Sequence, residues 1–71
     1  MLEPGDKVRH KSDDTLYLGV VLEISKTGKS ARVRWIKYDT RVFMFGAPWP
    51  SYYRLSNLDK VEDVTNDTIN N

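Results

Sequence analysis

The residues in this chain that are able to do chemistry are few and widely spaced. Its one histidine, His10, lies in Lys7-Val8-Arg9-His10-Lys11, and seven of its ten acids are spread over the first sixty residues at Glu3, Asp6, Asp13, Asp14, Glu23, Asp39 and Asp59. Nucleophilic catalysis needs a base beside the nucleophile, and acid–base catalysis needs a carboxylate or imidazole held in a shielded cleft. Asp13 and Asp14 are neighbours in sequence, so in extended backbone their side chains diverge, and Ser12-Asp13-Asp14-Thr15 has the composition of a solvated turn. There is no cysteine, and one histidine makes a zinc site only with several carboxylates around it. No glycine-rich phosphate loop of the Walker or dinucleotide type is present. The expectation is a protein with no catalytic residues, no metal, no cofactor and no small-molecule substrate.

What remains are side chains that recognise rather than react. Lys7, Arg9 and Lys11 alternate along one stretch and Arg32 and Arg34 along another, while Lys26 and Lys29 sit near Gly28. Such a face can hold phosphates, with Trp49, Tyr52 or Tyr53 stacking on bases. Against this, the outward positions of any small barrel must be polar, and lysine and arginine commonly guard sheet edges. A second cluster is apolar: Val42 to Tyr52 gathers Phe43, Met44, Phe45, Trp49 and Tyr52 together with Pro48 and Pro50. A chain of 71 residues cannot cover all of that with its own core, and exposed apolar patches mark contacts. The competing reading is a lid that folds back over the open end of a barrel.

These side chains need a scaffold, and the stretch from Leu16 to Ile36 supplies its centre. Leu16–Ile24 and Ala31–Ile36 are rich in β-branched and aromatic residues, and the link Ser25–Ser30 contains Gly28, free to take a positive φ. Val33 and Trp35 alternate with Arg32 and Arg34, giving one dry face and one basic face. Before this hairpin, Pro4-Gly5-Asp6 is a turn leading into a short strand at Lys7–Lys11. Gly19 reads as a bulge or bend, after which Val20, Leu22 and Ile24 share the inner face. Further on, Val42–Phe45 is apolar but is stopped by Gly46-Ala47-Pro48-Trp49-Pro50. Ser51–Arg54 reads as a short strand, Leu55-Ser56-Asn57-Leu58 as a 3₁₀ turn, and Asp59–Val61 as a closing strand. The expected core is Val8, Val20, Leu22, Ile24, Val33, Trp35, Leu55, Leu58 and Val61.

Taken together, Pro4-Gly5-Asp6-Lys7-Val8-Arg9, Gly19–Ile24, Arg32-Val33-Arg34-Trp35 and Tyr53–Val61 resemble an SH3-like small β-barrel. The similarity is to the Tudor and KOW-type groups and to small barrel proteins of tailed bacteriophages, and it covers roughly Pro4 to Val61. It implies an all-β, five-stranded barrel with a 3₁₀ turn before the last strand. The Tudor likeness would also imply an aromatic cage for a methylated cation, for which Tyr17, Trp35, Tyr38, Tyr52 and Tyr53 are candidates, although Trp35 is more simply core. The chain departs from the pattern at about 39–52, where a compact barrel would have a short turn and this one inserts an apolar loop.

Residues 1–61 therefore read as one barrel domain and 62–71 as an acidic, polar tail expected to be mobile. All eleven lysines and arginines precede residue 61 against seven acids, a balance of +4, whereas Glu62, Asp63 and Asp67 have no base beside them. The first residues show neither a basic start nor an apolar run, and no apolar run is long enough to span a membrane. The expectation is a protein that is not secreted and not in a membrane, placed in the host cytoplasm or, if encoded by a phage, in the virion. The leading functional expectation is an adaptor or structural accessory that binds a protein partner or itself through Phe43, Met44, Phe45, Trp49 and Tyr52. The alternative is a nucleic-acid binder using Lys7, Arg9, Arg32 and Arg34.

Overall fold

The central hairpin forms as its composition dictates. In the computed structural model, which describes residues 2–61, strand β2 (Leu16–Ile24) pairs antiparallel with β3 (Ser30–Tyr38). The link between them is closed by Ser25 N–H donating to the Ser30 carbonyl at 2.9 Å and Gly28 N–H to the Ser25 carbonyl at 2.9 Å. Gly28 has φ +77°, as the turn requires. With β1 (Lys7–His10), β4 (Ser51–Arg54) and β5 (Leu58–Lys60) the sheet runs in the order β4-β3-β2-β1-β5, every neighbouring pair antiparallel. The fold is all-β, a curled half-barrel with one 3₁₀ turn at Leu55–Asn57 before the last strand. The acidic tail expected over 62–71 lies outside the described residues.

The barrel does not close by a ladder: among the described residues no pairing joins β4 to β5. The 3₁₀ turn crosses the seam instead. At its start Leu55 N–H donates to the Lys29 carbonyl at 2.9 Å, and at its end Lys11 N–H donates to the Asn57 carbonyl at 2.8 Å. The turn thereby ties the β2–β3 link to the end of β1.

The core consists of Val8, Leu16, Val21, Ala31, Val33, Trp35 and Leu58, with Ile24, Phe43, Tyr53 and Leu55 packed partly buried around them. Val8, Val33, Trp35 and Leu58 sit where the alternation places them. Val20 and Leu22 do not. Val21 is the buried residue of that stretch, Val20 is half-buried and Leu22 is exposed. The cause is a bulge. Val21 pairs with Val33 but Glu23 pairs with Arg32, so two residues of β2 pass while β3 advances by one. The extra residue shifts the phase and returns Ile24 to the inside, opposite Ala31. Counting an unbroken alternation back from Ile24 puts Val20 and Leu22 on the wrong face. Val61 is half-buried and ends the pairing region, its N–H donating to the Lys7 carbonyl at 2.7 Å.

Gly19 has a second role besides the irregular register around it. It pairs opposite Trp35, and a Cβ there would lie 2.5 Å from Val33 Cγ1 and 2.7 Å from Trp35 Cε3. The absent side chain is the space the indole occupies. Trp35 Nε1 donates to the Tyr53 hydroxyl at 3.1 Å, and the Tyr53 ring meets both Trp35 and His10 edge-on with centroids 5.6 Å apart. His10 Nδ1 accepts from the backbone N–H groups of Ser12 at 3.2 Å and Asp13 at 3.0 Å, which closes the turn from β1 into β2. One aromatic column thus joins β3, β4 and β1. Trp35→Ala should cost about 3–5 kcal/mol, enough to unfold a domain of this size. Gly19→Ala should cost about 1–3 kcal/mol by overpacking. Urea denaturation followed by circular dichroism measures both, and a Gly19→Ala variant as stable as wild type would contradict the packing described.

Candidate functional site

The loop 39–50 joins β3 to β4 and is built on Asp39. The Asp39 carboxylate accepts from Arg41 N–H at 2.9 Å, Arg41 Nε at 3.1 Å and Arg41 Nη2 at 3.0 Å. Its own N–H donates to the Thr15 carbonyl at 2.8 Å, and its carbonyl accepts from Val42 and Phe43 N–H at 3.0 Å each. An aspartate that bonds the backbone two residues on is a common way to start a turn. Here it ends β3 and makes Val42–Phe45 a turn rather than a strand. Arg41 donation, from side chain and backbone, holds the Asp39 pKa below the ordinary aspartate value.

The structure separates the five apolar residues of the expected contact. Phe43 points back onto the body: it is half-buried against the core and meets Tyr38 edge-on at 5.7 Å. It anchors the loop. Met44 is 66% exposed, Phe45 99% and Trp49 85%. Val42, which the sequence pattern did not single out, is 57% exposed and belongs with them. Tyr52 is away from this group. It sits on β4 paired with Arg32, and its hydroxyl donates to Glu23 Oε2 at 2.6 Å, a bond that raises the phenol pKa. Between loop and sheet lies an open groove of about 590 Å³, lined on the body side by Leu16, Ser51 and Tyr53 and on the loop side by residues from Val42 to Trp49. A smaller hollow of about 340 Å³ separates Pro48–Pro50 from Arg34 and Trp35, so the loop stands off the sheet instead of sealing it.

The four basic residues of the alternative site do not make a continuous positive surface. Arg9 and Lys11 share Asp59, at 3.2 and 3.8 Å, and Arg32 lies 4.0 Å from Glu23. Lys7 pairs across Val20 with Arg34 in one row over β1, β2 and β3. Among the described residues neither Lys7 nor Arg34 has an acid within ion-pair distance. Exposed ion pairs of this kind are weak but do cancel charge locally. Of the aromatic residues considered for a cation cage, Trp35 is buried and Tyr52 is engaged with Glu23.

Among the described residues no group of three or more histidine, aspartate or glutamate side chains is placed to hold a metal ion, and no helix is long and apolar enough to cross a membrane. Comparison of the chain with protein-family models, curated proteins and solved structures returns no match.

The Asp39 clamp has a pH signature. Its folded pKa is depressed, so its contribution is complete above the unfolded value and is lost as pH falls through the lower folded value. Asp13 behaves alike, held down by the hydroxyl and N–H of Thr15. The denaturation midpoint should therefore fall between about pH 5 and pH 2 less steeply in Asp39→Asn than in wild type, and least steeply in Asp13→Asn/Asp39→Asn. Parallel slopes for all three proteins would show that neither turn carboxylate matters to acid stability.

Proposed function

We propose that this protein is a non-catalytic interaction module that engages a protein surface through the exposed part of the loop 39–50, with Met44, Phe45 and Trp49 as contact residues and Phe43 and Asp39 as supports. The observation that carries the reading is the exposure of Phe45 and Trp49, at 99% and 85%, on a loop whose base is fixed by Asp39 and Phe43. Large aromatic side chains left in water on a fixed support are costly for a free domain and are typical of the centres of protein interfaces. The scattered acids and the structural use of His10 as a turn acceptor support a role without catalysis.

The half-barrel fits the SH3-like class: a turn and short first strand, a long central hairpin with Trp35 inward, and a 3₁₀ turn ahead of the last strand. On that reading the protein is related to the Tudor and KOW-type groups and to small barrel proteins of tailed phages, and acts as an adaptor or structural accessory in a larger assembly, in the host cytoplasm or in a virion. Nucleic-acid binding is the weaker reading, since two of its four residues, Arg9 and Arg32, are each matched by an acid, which leaves Lys7 and Arg34 of that set.

Phe45→Ser and Trp49→Ser test the assignment. Each should change the free energy of unfolding by less than about 0.5 kcal/mol, as surface substitutions do. A loss above about 2 kcal/mol in either, the range of a core truncation, would make the loop a lid over the half-barrel and remove the contact reading.

A further inference from the structure

We infer that the acidic segment 62–71 acts as a strap on its own chain, crossing the outer face of the sheet with Asp63 at Lys7 and Asp67 at Arg34. The charge divides at the end of β5. Up to Val61 eleven lysines and arginines stand against seven acids, a balance of +4, and beyond it Glu62, Asp63 and Asp67 stand without a base, giving −3. Within the sheet the acids are already engaged: Asp59 with Arg9 and Lys11, Glu23 with Arg32, and Asp6 with Lys60. Lys7 and Arg34 have no acid within ion-pair distance among the described residues. The point where the chain leaves the sheet selects these two cations. Val61 N–H donates to the Lys7 carbonyl at 2.7 Å, so the segment begins beside Lys7.

The spacing of the charges matches as well. Lys7 pairs with Val20 and Val20 with Arg34, so the three share one face, and it is the outer one, because their sequence neighbours Val8, Val21 and Val33 are buried. Neighbouring strands lie about 4.8 Å apart, which separates Lys7 from Arg34 by about 10 Å along the row. Asp63 and Asp67 fall on the same side of an extended segment and at most about 14 Å apart; the long lysine and arginine side chains take up the difference. Thr65, midway between them, then meets Val20, which is half-buried, and Leu22 on the same strand is 39% exposed. Exposed ion pairs are weak singly, but tethering at Val61 makes every one of these contacts intramolecular, so they act together. With the strap in place, an outside polyanion reaches Lys7 and Arg34 only by displacing it.

The chain has no cysteine, so Asn66→Cys offers a single attachment point for a nitroxide, and NMR line broadening of the backbone amides reads where the segment passes. At low salt the label should broaden Val20 and Arg34 as well as Lys7. Raising the salt from about 10 mM to about 1 M shortens the screening length from about 30 Å to about 3 Å and should cut the broadening at Arg34 severalfold. Adding Asp63→Asn/Asp67→Asn to the labelled chain should do the same at low salt. Broadening confined to Val61 and Lys7 overturns the strap, and so does broadening at Arg34 that survives both the salt and the two substitutions. Mixing the nitroxide-bearing chain with unlabelled ¹⁵N chain separates the sources: broadening of Arg34 in the ¹⁵N chain assigns the contact to another copy and overturns the strap too. None of these outcomes bears on the loop 39–50, whose test is the stability of Phe45→Ser and Trp49→Ser.

Discussion

Trp35 packs against the one position on the facing strand that has no side chain. Gly19 leaves the room, Val33 borders it, and the indole N–H finds the Tyr53 hydroxyl, so the ring is held by shape and by one hydrogen bond. Much of the sheet depends on this contact. Tyr53 carries it into β4, which is otherwise held by four residue pairs with β3 and the Tyr52–Glu23 hydrogen bond, and His10 carries it into β1 and the turn after it. Seven buried side chains among the described residues are a small core for an open sheet, and a domain of this size has little stability to spare. A single aromatic column linking three strands, with a 3₁₀ turn crossing the open seam, explains how a half-barrel without cysteines holds its curvature.

The loop 39–50 follows from the same economy. Its base is ordered by the Asp39 clamp and the packing of Phe43 on Tyr38, and neither draws on the tip. The tip is therefore free to carry side chains that do nothing for folding. Phe43 and Phe45 are two residues apart and alike in type, yet one is an anchor and the other stands in water. The distinction lies in which of them the turn directs at the sheet. On the proposed reading, function resides in a segment grafted onto the fold, as is usual for small β scaffolds.

Much of this was legible in the residues. The five strands, the hairpin link, the 3₁₀ turn and the inward Trp35 follow from β-branched alternation, turn formers and the Leu-Ser-Asn-Leu spacing. The inner face of β2 was not, because the bulge that brings Val21 inside and Leu22 outside is a property of the pairing with β3 rather than of either strand alone. Gly19 signalled an irregularity, but not that its missing side chain would house an indole. In the loop, composition marked the apolar cluster and could not divide it, since Phe43 is set apart from Phe45 by a turn that depends on Asp39 and on a partner as distant in sequence as Thr15. The basic alternation was visible on both strands; the acids that answer it, Asp59 and Glu23, meet it only in the folded sheet.

The central claim is a division of labour between the two tryptophans, Trp35 holding the sheet and Trp49 facing outward for a contact. Hydrogen exchange of the two indole N–H groups, followed by NMR on dilute wild-type protein, addresses it without any substitution. The account predicts that the Trp35 indole, bonded to Tyr53 and buried, exchanges only through global opening, while the Trp49 indole exchanges at the rate of a free side chain. Comparable protection of both in the monomer would place Trp49 in the core and contradict the account.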